Sequence, residues 1–273
     1  MLYSLKMKKT IKLVANKLLK SKGVTIARIH EITFLNEKYK VLIEETESFF
    51  REIIFKDLPK NPKRIKLLAQ LNGTQISEVF YILNYLHLSM KLKGDICEFG
   101  IANGATSTVL ANEIKNTEKK LWLFDSFQGL SKPSKEDKLI KDIFNLGSMG
   151  KYEGTMSYKQ EEVIQRLNKI NFPKNRTEIV PGYIEHSIVQ NHLPKKVCFA
   201  YVDFDLYNPI RTALEFLDKV LVKGGYIVVD DFGTFSKGAK TAVDEFLTTQ
   251  KGKYVFNLPY AFAGHFCILQ KIV

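Results

Sequence analysis

Four hydrophobic runs with the composition of buried β-strands end in acidic residues, and this pattern limits the folds open to the chain. The acidic residues at these run ends are Glu98, Asp125, Asp203, Asp205, Asp230 and Asp231. In open α/β sheets the carboxyl ends of parallel strands share one edge, and ligands bind in the crevice outside that edge. We therefore expect these carboxylates to converge on one crevice, which should hold the functional site.

Seven strand-like runs alternate with helical patterns after residue 92, whereas residues 1–92 have mostly helical patterns. The predicted strands are Ile96–Phe99, Leu121–Phe124, Thr177–Val180, Val197–Val202, Tyr226–Val229, Tyr254–Phe256 and His265–Leu269. Helical segments between the first five strands predict parallel crossovers, and a short link before the last strand predicts an antiparallel hairpin. The prediction is an α/β fold: a Rossmann-like, doubly wound, mostly parallel sheet with an antiparallel last strand. We place a basic helical cap at residues 1–70 and the sheet domain at residues 71–273.

Three details refine this pattern. Asn208 and Pro209 have the composition of a helix N-cap and first turn, and Gly224-Gly225 predicts the end of that helix. A polar stretch lies between Leu130 and Ser157. Loops this long are usually functional lids or disordered segments. Residues 131–156 are therefore candidates for a lid that closes over the site and excludes water.

The formal net charge of +12 is concentrated at the N-terminus, where residues 1–22 hold seven lysines and no acid. Such a segment is either a solvated helix or a contact with an anionic membrane or nucleic acid. The three cysteines lie in apolar runs, which indicates reduced thiols and a cytosolic location. We expect a cytoplasmic protein, with residues 1–22 as a candidate for peripheral contact with the inner face of the membrane.

A glycine-containing turn, Glu98-x-Gly100-x-x-x-Gly104, follows the first predicted strand. Glycines let the backbone approach a ligand, and the next helix presents free N–H groups to an anion, although such turns can equally serve packing. Asp125 ends the second strand, where a carboxylate accepts hydrogen bonds from ribose hydroxyls or caps a turn. Together these residues predict a nucleoside cofactor. The glycine spacing differs from the Gly-x-Gly-x-x-Gly of dinucleotide-binding proteins.

Four aspartates follow the fourth and fifth strands, which should be neighbours in the sheet. Crowded carboxylates repel each other by about 1 kcal/mol per pair at ~4 Å even in water. A hard divalent cation removes that cost, and Mg²⁺ prefers a few carboxylates together with water and substrate oxygens. Asp203 and Asp230 are therefore candidate metal ligands. The alternative is that Asp231 caps a turn and Asp205 is exposed to solvent.

Six short motifs resemble, in the same order, those of the macrocin/mycinamicin O-methyltransferase family of class I S-adenosylmethionine-dependent enzymes. They are Gly94-Asp95-x-x-Glu98-x-Gly100, Phe124-Asp125-Ser126-Phe127-x-Gly129-Leu130, Gly154-Thr155, Pro181-Gly182-Tyr183, Tyr201-x-Asp203-x-Asp205-x-Tyr207 and Val229-Asp230-Asp231-Phe232-Gly233. The resemblance extends from about residue 72 to residue 271. It implies a Rossmann-like class I methyltransferase fold.

The resemblance also implies a role for each matching position. The positions implied to bind S-adenosylmethionine are Glu98, Gly100, Gly104, Asp125, Ser126, Phe127, Gly182 and Tyr183. Asp203, Asp230 and Asp231 would bind Mg²⁺, and Asp203 or Asp205 would accept the proton of a sugar hydroxyl. The expected function is a Mg²⁺-dependent O-methyltransferase that acts on a sugar of a bacterial glycan or glycosylated metabolite.

Three other functions remain to be weighed against this one. The net charge suggests an RNA methyltransferase, but the fourth strand ends in Asp-Phe-Asp-Leu-Tyr and lacks the Asn/Asp-Pro-Pro-aromatic signature for base amines. A dehydrogenase would need a Tyr-x-x-x-Lys pair, which the chain lacks. A third alternative is a non-catalytic, cofactor-binding subunit of a glycan assembly complex. We expect a small-molecule or glycan substrate, no nucleic acid, and homo-oligomerisation as an open alternative.

Overall fold

The computed structural model describes residues 29–189 and 192–273. The chain divides into one unit that ends at Glu45 and a second unit, Thr46–Val273. Helix α1 (Ile29–Phe49) begins in the first unit, and the second unit contains the sheet. The predictions for residues 1–22, including membrane contact, fall outside the described residues. None of the described helices is long and apolar enough to cross a membrane.

One seven-stranded sheet, with strand order β3-β2-β1-β4-β5-β7-β6, forms the centre of the second unit. Its strands are β1 (Asp95–Phe99), β2 (Leu121–Asp125), β3 (Thr177–Pro181), β4 (Val197–Val202), β5 (Leu221–Val229), β6 (Tyr254–Asn257) and β7 (Cys267–Lys271). Strands β1 to β5 pair in parallel, whereas β7 is antiparallel to both β5 and β6. The predicted sheet is confirmed. Its order changes direction between β1 and β4, where a ligand crevice is expected.

Helices cover both faces of the sheet, which explains why its central strands are almost wholly apolar. After α1 the helices are α2 (Arg64–Leu68), α3 (Ile76–Ser89), α4 (Ala105–Ile114), α5 (Gln160–Lys169), α6 (Ile184–Ser187), α7 (Tyr207–Val220) and α8 (Lys237–Thr249). Helix α3 packs against β4 and β5, while Ala200 and Val202 of β4 pack in a core with residues of α7 and α8. The intervening Tyr201 contacts α3 instead.

Two boundaries differ from the prediction. Helix α7 begins at Tyr207 without an Asn208 cap, because the carboxylate of Asp137 accepts a hydrogen bond from the Tyr207 amide at 2.9 Å. Strand β5 includes Gly224 and Gly225, although this pair predicts a helix end. A Cβ on Gly225 would lie 2.9 Å from the carbonyl oxygen of Cys198 in β4. Glycine therefore permits the close approach of the two strands.

A buried ion pair attaches the segment between α1 and α3 to α4. Arg64 is fully buried and donates to both carboxylate oxygens of Glu113, at 3.0 and 2.9 Å. Its guanidinium also lies 3.5 Å from Glu47. The structure thus groups residues 46–70 with the sheet, and the boundary predicted after residue 70 does not coincide with this division.

The polar segment 130–157 packs a small core of its own. The buried residues of this core, two of which come from neighbouring loops, are Leu130, Met149, Tyr152, Leu206 and Phe235. The amide of Ile140 donates to the carbonyl of Phe235, and the amide of Lys237 donates to the carbonyl of Lys138, both at 3.0 Å. The segment is therefore held against the connection between β5 and α8. Its closure as a lid stays a prediction.

Candidate active site

A cleft of about 590 Å³ opens at the carboxyl ends of the parallel strands. The acidic residues that follow four of these strands all line it: Glu98, Asp125, Asp203, Asp205, Asp230 and Asp231. Their predicted convergence on one crevice is confirmed. The cause is the parallel pairing of β2, β1, β4 and β5, which brings the strand ends to the same edge.

The turn after β1 is held by Asp125. One carboxylate oxygen of Asp125 accepts hydrogen bonds from the amides of Ile101 and Ala102, at 2.8 and 3.2 Å. The other oxygen accepts from the amide of Phe127 at 2.7 Å. Burial raises the pKa of Asp125 and these amides lower it. Asp125 therefore fixes the loop beside the cleft, which it also lines.

Gly100 allows the turn after β1 to lie directly against the turn after β4. Its φ is 81°, and a Cβ at this position would lie 1.8 Å from the carbonyl oxygen of Asp203. No other residue fits this backbone without displacement. The turn after β1 and the acidic turn after β4 are consequently neighbours.

Glu98 is a buried carboxylate whose oxygens lack a hydrogen bond of ordinary length. It is 1% exposed, and both of its oxygens and the nearby Ser107 hydroxyl have no partner within that length among the described residues. Burial raises its pKa to about 8, although the Ser107 hydroxyl opposes the shift. Buried polar atoms nearly always have a partner, so each exception calls for an explanation. Because Glu98 lines the cleft, a ligand that donates hydrogen bonds would supply the missing partner.

The other predicted cofactor positions divide into two groups. Ser126, Gly182 and Tyr183 line the cleft, whereas Gly104 and Phe127 are not among its lining residues. For Gly104 the reason is packing: a Cβ there would meet Val163 of α5 at 3.0 Å. The assignment of these two residues to the cofactor stays a prediction, since they do not line the cleft themselves.

Asp203, Asp205 and Asp231 form a cluster in which one oxygen of each lies within 4.8 Å of the others. Asp205 and Asp231 adopt left-handed backbone angles, with φ of 61° and 55°. Such angles are uncommon outside glycine and tend to occur at functional sites. The predicted ligand set contains Asp230, but in the structure Asp205 takes its place in the cluster. Asp230 accepts hydrogen bonds from the amide of Asp231 at 2.7 Å and from the hydroxyl of Tyr201 at 2.9 Å.

Burial and mutual repulsion raise the pKa values of these carboxyls. The pKa values of Asp203 and Asp205 lie well above the usual range, first because partial burial disfavours the charged form of each and then because neighbouring aspartates repel their charge. The same causes raise the pKa of Asp231 to about 7, with opposition from Lys141. A divalent cation would replace the protons that such a cluster otherwise holds. Carboxylate oxygens are the type of ligand that Mg²⁺ prefers.

Glu78 lies close to Asp230 and Asp203, but the sequence analysis did not predict it as a site residue. It lies on α3 and is 3% exposed. Burial, followed by the charges of Asp230 and Asp203, raises its pKa well above the usual range. The available signal is that Glu78 is the only Asp, Glu, Lys or Arg in α3. Its proximity to the aspartates is a tertiary contact that no local pattern encodes.

The segment 130–157 provides the wall opposite the cofactor turn. Lys141, Ile143 and Phe144 line the cleft from this segment. The Phe144 ring is 50% exposed and stacks on Tyr152, with ring centroids 5.7 Å apart. The Tyr152 hydroxyl donates to Asp142 at 2.6 Å and accepts from the Phe144 amide at 2.9 Å. An aromatic face is therefore held at the cleft without a covering residue.

Two O-methyltransferases of Streptomyces species match part of the chain. The chain is 22% identical over 142 residues to 8-demethyl-8-(2,3-dimethoxy-alpha-L-rhamnosyl)-tetracenomycin-C 4'-O-methyltransferase of Streptomyces olivaceus, which covers 51% of this chain and 53% of that protein. It is 23% identical over 158 residues to demethyldecarbamoylnovobiocin O-methyltransferase of Streptomyces niveus, covering 56% and 58%. The chain thus spans about half the length of these curated relatives.

Solved structures extend the similarity of fold over most of the chain. The O-methyltransferase NovP has a TM-score of 0.63 at 15% identity, covering 85% of this chain and 99% of that one. A calicheamicin methyltransferase has a TM-score of 0.59 at 19% identity, covering 83% and 92%. These likenesses confirm the Rossmann-like methyltransferase fold. The sequence pattern of the macrocin O-methyltransferase family matches residues 86–255, which is more than half of the chain, and the chain therefore belongs to this family.

Proposed function

We propose that this chain transfers the methyl group of S-adenosylmethionine to a hydroxyl of a sugar, with Mg²⁺ bound beside the acceptor. The observation that carries the proposal is the division of one cleft into two acidic ends. Glu98 and Asp125 lie at one end, and Asp203, Asp205 and Asp231 lie at the other. A cofactor site and an acceptor site must adjoin in this way for direct transfer between them.

At the cofactor end, Glu98 would accept hydrogen bonds from the ammonium group of the methionine moiety. This assignment gives the buried, unpaired carboxylate a cationic partner, and a charged hydrogen bond contributes about 1.5–3 kcal/mol. Asp125 would hold the ribose hydroxyls while it keeps the turn after β1 in place. Gly182 and Tyr183 would flank the adenine. An O-methyltransferase from Bacillus cereus that was solved in complex with S-adenosylhomocysteine shares this fold, with a TM-score of 0.51, which supports the use of S-adenosylmethionine.

At the acceptor end, Asp203 and Asp231 are the first candidates for metal ligands, because they belong to both the predicted set and the observed cluster. Asp230 and Asp205 are the alternative third ligands. A bound Mg²⁺ would lower the pKa of a sugar hydroxyl that contacts it. Asp203 or Asp205 would accept the proton, since both line the cleft and general bases work best with a pKa near the working pH.

Gly100 gives a reason for the alignment of the two reactants. Its close approach to Asp203 fixes the distance between the cofactor turn and the acidic turn. Alignment of an acceptor oxygen with the methyl group contributes up to about 7–11 kcal/mol to the lowering of the barrier. Phe144 and Lys141 would contact the far side of the sugar. The relative from Streptomyces olivaceus is named as a 4'-O-methyltransferase of a rhamnosyl-bearing tetracenomycin, which supports a sugar as the acceptor class.

Calorimetry and a methyl-transfer assay test the proposal together. We expect the intact chain to bind S-adenosylmethionine and S-adenosylhomocysteine both with and without EDTA. Transfer of a labelled methyl group to rhamnosides or to a nucleotide-linked rhamnose should require a divalent metal. Replacement of Asp231 by Asn should remove transfer and leave cofactor binding intact.

The outcomes separate the parts of the proposal. Failure of the intact chain to bind the cofactor would overturn it entirely. Undiminished transfer in EDTA would overturn the role of the metal alone. An RNA substrate in the same assay covers the alternative function, and methylation of RNA in preference to sugars would replace the acceptor class.

A further inference from the structure

The hydroxyl of Tyr201 is surrounded by three carboxylates. Its oxygen lies 3.2 Å from Glu78, 3.2 Å from Asp203 and 2.9 Å from Asp230. Tyr201 is fully buried in β4, and Glu78 is 3% exposed. Glu78 lines the cleft, whereas Tyr201 does not.

A tyrosine hydroxyl has one proton and can donate to only one carboxylate at a time. The Tyr201 hydroxyl nevertheless holds the carboxylates of Asp203 and Asp230 close to the same oxygen atom, although their like charges repel each other. Glu78 contacts the same hydroxyl from α3, so the oxygen is held between the strand ends and the helix. This arrangement restrains the side-chain torsions of both aspartates.

Helix α3 provides a fixed support for Glu78. It packs against β4 and β5, and the Ser77 hydroxyl donates to the carbonyl of Ala263 at 2.8 Å. Thr74, two positions before this helix begins, contacts Thr106 of α4 at 3.0 Å. Groups that orient metal ligands work best on such rigid elements.

We propose that Glu78 and Tyr201 position Asp203 and Asp230 for binding of the divalent cation. The inference rests on the proposed function, because it assumes that these aspartates face a metal. Both residues are positioning residues, since neither needs to contact the metal or the substrates. Loss of a group that orients metal ligands typically weakens metal binding by about 10- to 100-fold.

Manganese binding to the full chain tests the proposal, with Mn²⁺ itself as the probe. Electron paramagnetic resonance measures the free ion in titrations of wild type, Tyr201→Phe and Glu78→Gln. The Tyr201 variant is decisive because it removes one oxygen and changes no charge in the cluster. Tyr254→Phe is the matched control, because its hydroxyl also donates to an aspartate, Asp218 at 2.9 Å, but far from the cleft.

We expect both test variants to bind Mn²⁺ about 10-fold or more weakly, while the control binds as wild type does. Affinity for S-adenosylhomocysteine should be unchanged in all of them, which shows that the fold is retained. Wild-type Mn²⁺ affinity in Tyr201→Phe would overturn the inference. If that variant loses S-adenosylhomocysteine binding through misfolding, wild-type Mn²⁺ affinity in Glu78→Gln overturns it instead. Absence of Mn²⁺ binding by the wild type would overturn the metal part of the proposed function together with this inference. Wild-type binding that the substitutions leave unchanged would overturn this inference alone.

Discussion

At the scale of single residues, Glu98 offers the most direct test of the proposed cofactor site. Replacement of Glu98 by Gln should weaken binding of S-adenosylhomocysteine by about 10- to 100-fold, because a charged hydrogen bond is lost. Burial places the pKa of Glu98 at about 8. Wild-type affinity should therefore rise with pH up to that range, since the ionised carboxylate is the form that holds an ammonium group. Calorimetry at several pH values measures both effects.

The control for this prediction is Glu162→Gln, since Glu162 is an exposed glutamate on α5. This variant should keep the wild-type affinity and the wild-type pH dependence, whereas Glu98→Gln should lose the dependence. An affinity of Glu98→Gln equal to that of the wild type would contradict the assignment of Glu98 to the cofactor.

Whether a residue of the site can be predicted from the sequence depends on the kind of contact that positions it. Glu98 and Asp203 are predictable at the cleft because parallel strands bring their ends to one edge, a rule that the sequence pattern reveals. Glu78 is not predictable, because its position depends on how α3 packs on the sheet. Gly100 and Gly104 belong to the same glycine-containing turn in the sequence, yet only Gly100 lines the cleft. The direction in which a turn faces is decided by tertiary packing.

At the scale of elements, Asp137 connects the segment 130–157 to the starts of α7 and α8. One oxygen of Asp137 accepts from the Tyr207 amide at 2.9 Å and from the Ser236 hydroxyl at 3.1 Å. The other accepts from the Ser134 amide at 2.8 Å. Since α7 and α8 follow the turns that bear the aspartates of the proposed metal site, Asp137 holds both turns in register with the wall of the cleft.

Replacement of Asp137 by Ala should lower the free energy of unfolding by about 1–3 kcal/mol, because buried donors lose their acceptor. It should also lower kcat by about 10- to 100-fold, since small displacements of reacting groups are costly. Affinity for S-adenosylhomocysteine should stay near the wild-type value, because Asp137 does not contact the turn after β1. Chemical denaturation and steady-state kinetics measure these quantities.

The comparison variant is Asp244→Asn, which removes an exposed ion pair with Lys240 on α8. An exposed pair contributes little, typically less than about 1 kcal/mol. A kcat of Asp137→Ala equal to that of Asp244→Asn would show that Asp137 supports the fold alone.

The elements differ in how far the sequence determines them. The seven strands and the antiparallel direction of the last follow from alternation with helices and from short links, which are local features. The start of α7 does not, because Asp137 stands 70 positions earlier in the chain. The start of β5 depends on the distance between Gly225 and the Cys198 carbonyl, which only the paired strands reveal.

At the scale of the whole molecule, the buried carboxyls link folding stability to pH. In the unfolded chain, Asp and Glu have pKa values near ~4, whereas in the folded protein burial raises the pKa of Asp231 to about 7 and that of Glu98 to about 8. Between these limits the folded state binds more protons than the unfolded state. The free energy of unfolding therefore decreases as pH rises through this window. Carboxyls with a lowered pKa, such as Asp142, act at lower pH and do not cancel the effect.

In EDTA, the melting temperature of the chain should therefore fall by several degrees between about pH 5 and about pH 8. Addition of Mg²⁺ should reverse part of the fall at the upper end, because a cation that binds only the folded state stabilises it. In Asp203→Asn the melting temperature should fall less over this window and should rise less on addition of Mg²⁺. The substitution removes one of the repelling carboxylates, which is also one of the proposed metal ligands. A melting temperature that rises over this window, or an equal response to Mg²⁺ in both proteins, would contradict a metal site built from these aspartates. Thermal unfolding of the wild type and of Asp203→Asn, each in EDTA and with Mg²⁺, measures these effects. All four samples need the same ionic strength, because screening weakens the repulsion between the carboxylates.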